Sequence, residues 1–323
     1  MNSVVYSDAF VPAELIAACG LRPLRLLPAR AAGADSSAVS QGVCPYAHAF
    51  MASLAQSDAA AVIFTTACDQ MRRSCELLAA RDHRPGFLLN VPHTQGDGAF
   101  GLYLSELERL RRFLCEVGGR CPTDAELIET MARYATARRS LLAARSRFTG
   151  RQFHEAILAV SNGLPMPAPK ALAGRASDGI PIAVVGSPLM AGDAELFDAL
   201  ERFGGHVVLD ATDSGEMALP TPQPDPQPGT PALESLARSY WHIPAAFRRP
   251  NDGLYEYLDR EMAARAVRGI VLRRYVWCDT WHAELGRLRQ RYPLSVLDLD
   301  VSEPFSPHTL TRVEAFLEVL RAR

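Results

Sequence analysis

A chain of 323 residues, 48% of them hydrophobic, can bury two cores of domain size, which excludes a disordered or fibrous protein. Its 34 basic residues nearly balance 36 acidic ones, so no field of one sign draws it to nucleic acid or to an anionic membrane. The longest apolar runs, such as 59–64 and 180–185, are strand-sized and far short of the roughly 20 residues of a membrane span. Residues 1–8 show no secretory signal, and the expectation is a cytoplasmic protein.

Ser3 to Tyr6 is an apolar run suited to a first strand. Pro12 stands where proline can open a helix, because the first turn leaves its N–H positions unpaired anyway, and Gly20 closes the helix that follows. Leu24 to Leu27 reads as a second strand. The small, polar stretch from Ala29 to Gln41 is a loop that delivers Cys44 to the front of a helix running through Phe50 and Leu54. Ala60 to Thr65 is a buried strand, Asp69 to Ala80 the helix after it, and Phe87 to Val91 a further strand. From about Gly101 to Val160 the apolar residues Leu102, Leu107, Leu110, Leu114, Leu127, Met131 and Tyr134 fall mostly at helical spacing. Thr123 and Glu126 make a capping box within that stretch.

Pro165 to Pro169 and Gly174 to Gly179 punctuate the passage into a second lobe. There Ile182 to Val185, His206 to Leu209, Gly269 to Val276 and Leu294 to Leu299 read as strands, and helices start near Asp193, Pro231, Gly253, Thr280 and Pro307. Strands alternating with helices imply parallel sheets. The expected class is α/β: two doubly wound, flavodoxin- or Rossmann-like lobes, residues 1–98 and 176–323, joined by a helical segment, 99–175. The proline-rich tract that begins at Pro220 reads as an extended surface loop, since proline lacks the donor that helices and inner strands need.

Seven cysteines without close, regular pairing argue for thiols that are ligands or simply buried, rather than for a disulfide framework. Cys44, Cys68 and Cys278 each fall at an element boundary, where a helix N-terminus offers free amides to an anionic sulfur. That placement suits iron-sulfur ligation and an ordinary redox thiol alike, and no C-x-x-C pair decides between them. Cys19 and Cys75 read as helical core, Cys115 and Cys121 as packing or surface residues. Cys75 lies about two turns past Cys68, roughly 10 Å along the axis, too far to serve the same iron easily.

Several segments occur in a telling order: Phe10 to Gly20 with its proline-glutamate-leucine helix, Cys44, Cys68-Asp69 followed by Gln70-Met71-Arg72-Arg73, and Val91-Pro92. Gly186-Ser187-Pro188-Leu189, Gly204 to Asp210, Cys278-Asp279 and the closing Thr311 to Glu318 complete the set. In this order the chain resembles the 2-hydroxyacyl-CoA dehydratase family, which includes the 2-hydroxyglutaryl-CoA dehydratase D-component, the benzoyl-CoA reductase subunits and double-cubane proteins. The resemblance implies a [4Fe-4S] cluster in the cleft between the lobes, held by Cys44, Cys68 and Cys278, with one iron open to another ligand. It also implies an acyl-CoA substrate, a second dehydratase subunit or a homodimer, and FMN in the holoenzyme.

By the same resemblance, a separate ATP-dependent iron-sulfur activator delivers one electron. A ketyl radical then forms on the thioester carbonyl, and hydroxide leaves C2. The chain itself has no G-x-x-x-x-G-K-[ST] loop, as expected if the partner uses the ATP. Glu14 aligns with the family's first-helix glutamate and is the candidate acid/base or substrate-orienting group, against a plain solvent-facing glutamate in a first turn. His48 is expected on the cluster side of its helix or as a structural histidine. Arg72 and Arg73 are expected to meet CoA phosphates or the activator, or else to be solvated charges, and Asp69 and Asp279 to cap helices.

Three other readings stand beside this one. One is a benzoyl-CoA reductase-like or double-cubane-type ATP-dependent reductase, another a non-catalytic scaffold or electron-relay subunit. The third is a metal-free acyl transferase using Cys44 with His48. Asp213-Ser214-Gly215-Glu216 departs from the glycine and arginine expected at that place, which leaves the acyl group open.

Overall fold

The computed structural model describes residues 2–29, 43–169, 179–221, 230–300 and 306–323. The predicted loop from Ala29 to Gln41 and the proline-rich tract fall almost wholly outside them. In the first sheet β1 (Ser3–Tyr6) lies between β2 (Arg22–Arg25) and β3 (Ala61–Thr65), and β4 (Gly86–Leu89) forms the far edge. In the second, β5 (Ile180–Gly186) lies between β6 (Gly205–Thr212) and β7 (Gly269–Arg274), with β8 (Ser295–Asp300) at the edge. Every pairing in both sheets is parallel. The two orders, β2-β1-β3-β4 and β6-β5-β7-β8, are the same winding used twice. Each therefore has a switch point, between β1 and β3 and between β5 and β7, where the helices leave to opposite faces and a crevice opens.

Composition explains which strands are central. β3 is Ala-Val-Ile-Phe-Thr and buried at every residue, as a strand covered by helices on both faces must be. β2 begins at Arg22, two residues before the predicted Leu24. Register with β1 sets that start, pairing Ser3 with Arg22 through to Tyr6 with Arg25. Pro23 is tolerated there because β2 is an edge strand with no second neighbour to receive a donor.

The helices of the first half are α1 (Ala13–Ala18), α2 (Pro45–Ala55), α3 (Asp69–Arg81), α4 (Asp97–Glu116), α5 (Asp124–Ala143) and α6 (Gly150–Ser161). Those of the second are α7 (Glu195–Arg202), α8 (Ala232–Trp241), α9 (Asp252–Ala264), α10 (Asp279–Arg291) and α11 (Pro307–Arg321). The predicted capping box is present at α5: Thr123 Oγ1 accepts from the Glu126 amide at 3.3 Å, and Glu126 accepts from the Thr123 amide at 2.8 Å. A second box, Thr149 with Gln152, opens α6. The buried stripe of α4 is Tyr103, Leu107, Leu110 and Leu114; Leu102 is exposed.

α8 does not pack within its own half of the chain. Its apolar face, including Leu233, Leu236 and Tyr240, packs on α4 and α5 and joins the core cluster of the first lobe with Leu107, Leu110 and Leu127. The Arg25 guanidinium, from β2, also donates across to the carbonyl of Asp213 after β6, at 2.6 Å. The lobes are thus held by an apolar contact and by hydrogen bonds.

Cys115 and Cys121 correct the reading that gave them packing or surface roles and argued against disulfides: they form a disulfide, Cα atoms 5.5 Å apart. The reason is local. α4 ends in a turn with Gly118 at φ +100°, and the Gly119 amide reaches back to the Leu114 carbonyl at 3.0 Å, so the chain folds onto its own last turn.

At the end of β5, Gly186 has φ +137°, and a Cβ there would stand 1.8 Å from the Arg273 carbonyl oxygen of β7. Gly192, at φ +93°, has open space around it. Gly186→Ala is expected to cost at least about 2 kcal/mol, and Gly192→Ala about 1 kcal/mol, in urea unfolding free energy. Equal costs would show that the β5–β7 approach is not close in solution.

Candidate active site

A parallel sheet sends every strand out at the same edge, and the helix that follows starts there with its amides unpaired. One cavity of about 100 Å³ is lined by the segments that follow β1, β3, β5, β6 and β7, so both switch points open into it. Cys44, Cys68 and Cys278 all line this cavity. Each is the N-cap residue of its helix, α2, α3 and α10 respectively. Their carbonyls accept the first helical bonds from His48, Arg72 and His282, at 3.0, 2.9 and 2.9 Å.

This geometry settles where each sulfur sits. The amides of Tyr46 and Ala47 face the Cys44 sulfur, and those of Gln70 and Met71 face that of Cys68. The Ser187 hydroxyl, just past β5, donates to Cys278 Sγ at 3.1 Å. Gln70, in the first turn of α3, accepts the Cys44 amide at 2.9 Å and so ties the loop carrying Cys44 to the helix that Cys68 caps. Burial pushes the Cys44 thiol up and that of Cys68 up to about 12, against the pull of the amides; Cys278 raises both further, and Cys44 also raises Cys68.

Soft sulfur donors with amide and hydroxyl partners, set in an apolar wall, suit an iron-sulfur cluster. Among the described residues no three His, Cys, Asp or Glu side chains converge as a site for a single metal ion. A cluster asks for something else. It takes one thiolate per iron, so its ligands surround a volume instead of meeting at a point.

Other predicted residues lie elsewhere. Glu14 is neither in the cavity wall nor at the surface: it is 1% exposed, and its carboxylate accepts from Arg138 of α5 and from the Tyr240 hydroxyl of α8. Its helix turns that face inward because α8, from the far half of the sequence, packs beside α5. His48 is half-buried and outside the cavity wall. Arg72 is exposed and pairs with Asp69 and Glu76 along its own helix. Arg73 and Asp279 are exposed.

Two carboxyl groups that the sequence reading did not assign to the site do line the cavity, Asp8 after β1 and Asp213 after β6. Asp8 accepts from the Phe10 amide at 2.9 Å, and burial pushes its carboxyl up. Asp213 accepts from the Trp281 indole N–H at 2.8 Å, and burial, with the nearby Asp8 charge adding, raises it from 3.8 to about 7. The available signal was position: each lies within two residues of the end of a strand, at the edge where such folds place ligands.

Two matching parallel lobes with a thiol-lined cleft at their strand ends define a two-lobed α/β protein with a cavity at the lobe junction. The family model for the 2-hydroxyglutaryl-CoA dehydratase D-component matches residues 8–320, and the chain belongs to that family. The matched span includes every strand but β1 and all seven cysteines. No curated protein matches the chain. Among the described residues no helix is long and apolar enough to cross a membrane.

Two outcomes follow from this geometry. Arg138→Leu strands the buried Glu14 charge and is expected to cost about 3 kcal/mol in unfolding free energy. Iron bound per folded chain should be unchanged; a loss of iron would return Glu14 to the site. For Asp213, the raised carboxyl means that the fold tolerates its protonated form best. That contribution is complete below pH 3.8 and is lost as pH rises to about 7. Against Asp213→Asn, the wild-type protein should therefore lose on the order of 1–3 kcal/mol between pH 4 and pH 7, discounted for a side chain that is not wholly enclosed. A difference that stays flat over that range would refute the assignment.

Proposed function

We propose that the chain is the iron-sulfur subunit of a 2-hydroxyacyl-CoA dehydratase-like enzyme, with Cys44, Cys68 and Cys278 each holding one iron of a [4Fe-4S] cluster. The observation that carries the reading is the placement of three cysteines as helix N-caps around one cavity, within a fold whose family is that of a dehydratase component. When bound, the cluster supplies an open iron and one-electron chemistry for the elimination of water from the acyl thioester, the electron coming from a separate ATP-dependent activator. The family's name speaks of components, and the proposed assembly is this subunit with a second dehydratase subunit or a second copy of itself.

The chain's own residues have definite tasks in this proposal. The N-terminal amides of α2 and α3 and the Ser187 hydroxyl stabilise negative charge on sulfur, as helix N-termini do for any anion. Gln70 keeps Cys44 in place relative to Cys68. Phe10, Ile243, Pro244 and Phe247 make an apolar wall that keeps water from reactive species. Asp8 and Asp213, one from each lobe, are placed to take and return protons, two carboxyl groups that resist being ionised together.

Purified without oxygen, the protein should carry about four irons and four sulfides per chain. Cys44→Ser, Cys68→Ser and Cys278→Ser should each lose them, whereas Cys75→Ser should not. With activator and ATP, a 2-hydroxyacyl-CoA should yield the 2-enoyl-CoA with no net consumption of electrons. About eight irons, or two electrons consumed per product, would replace the dehydratase reading with a reductase one. No iron, under conditions that keep a control iron-sulfur protein intact, would remove the cluster from the proposal.

A further inference from the structure

The cavity wall has a charge pattern of its own. Among the described residues that line it there is no lysine, arginine or histidine, while Asp8 and Asp213 present two carboxyl groups. The rest of the wall is largely aliphatic and aromatic, from Phe10, Met71 and Met217 to Ile243, Pro244 and Phe247.

Three arginines, Arg25, Arg248 and Arg273, are bound into the protein around this cavity without lining it; two of their donor atoms, Arg248 Nε and Arg273 Nη1, are buried without a hydrogen-bond partner. Arg25 donates to the carbonyls of Ser7 and Asp213, at 3.3 and 2.6 Å. Arg248 donates to the carbonyls of Pro92, Thr94 and Trp241 and lies against the rings of Phe10, Trp241 and Phe247, 4.3–5.2 Å from their centroids. Arg273 pairs with Asp193 and lies 3.8 Å from the Tyr275 centroid. What field Arg25 and Arg248 do project reaches Asp8, so it offsets a carboxyl group already present.

We infer that the acyl group admitted here is uncharged and apolar, a short aliphatic 2-hydroxyacyl thioester, and that an acyl group ending in a second carboxylate is rejected. The inference rests on the proposed acyl-thioester reading and narrows it. A terminal carboxylate entering the cavity sheds its water, finds no cation among the described wall residues to pair with, and meets Asp8 and Asp213. An aliphatic terminus in the same place only exchanges water for Met217, Ile243 and Phe247. The discrimination comes as much from what repels the wrong acyl group as from what holds the right one.

Two thioesters that differ only at the far end make the comparison clean. 2-Hydroxypentanoyl-CoA ends in a methyl group and 2-hydroxyglutaryl-CoA in a carboxylate, with the same five-carbon chain and the same CoA. Their affinities are measured calorimetrically on the anaerobically purified holoenzyme at pH 8, without activator or ATP, so that nothing turns over. 2-Hydroxypentanoyl-CoA should bind at least tenfold more tightly, and Asp8→Asn with Asp213→Asn together should shrink that ratio several-fold.

Equal affinity, or tighter binding of 2-hydroxyglutaryl-CoA, overturns the inference while leaving the acyl-thioester reading in place. An undiminished ratio in the double variant overturns the assignment to these two carboxyl groups. Binding of neither thioester by cluster-loaded protein overturns the acyl-thioester reading itself. The first ratio needs no variant, so a double variant that fails to fold leaves the test of the acyl group intact.

Discussion

Because parallel strands all run out at one edge of their sheet, the loops after them and the unpaired amides of the following helices collect at that edge. Here the constraint acts twice, through two sheets wound in the same order, and the segments leaving β1, β3, β5, β6 and β7 meet in one cavity. Nearly everything distinctive about the molecule follows from that meeting. A cysteine at a helix N-cap is unremarkable in isolation; three of them around one apolar cavity give buried sulfur its donors, its neighbours and its shelter from water together.

The apposition of the lobes is maintained by buried polar contacts as well as by the core. Glu14 with Arg138 and Tyr240 links α1, α5 and α8, three helices brought together from opposite ends of the chain. Arg25 reaches from β2 to the loop that carries Asp213, while within the second lobe Arg273 with Asp193 holds the end of β7 against the segment after β5. His154 and Asp210, 2.8 Å apart and both 1% exposed, do the same between α6 and β6. Buried pairs of this kind add little net stability, since desolvation offsets the attraction. They do penalise any arrangement that separates the partners, and so they define one relative placement of the lobes.

How much of this was legible beforehand varied with the range of the interaction. β1, β3 and β5 stood out as apolar runs because a strand covered on both faces has nowhere to put a polar side chain. The capping box at Thr123 is local chemistry over four residues and was present as read. The box at Thr149 was equally local, and Thr149 with Gln152 was the signal for it. β2 was misplaced because its start depends on register with β1, and Cys115 and Cys121 were misjudged because the turn that joins them hangs on the backbone of Gly118.

The division between chain and fold is clearest at the site. Sequence by itself determined the α/β class, the alternation that makes both sheets parallel, and the position of Cys44, Cys68 and Cys278 at helix starts, since each depends on residues within a turn or a strand of one another. Tertiary structure alone decided that those three cysteines share a cavity, that Glu14 faces away from it into an ion pair, and that Asp8 and Asp213 face into it. These are contacts between segments tens to hundreds of residues apart. Local propensity has no reach over such distances, and only the packing of α8 and the shared winding of the sheets carries the chain across them.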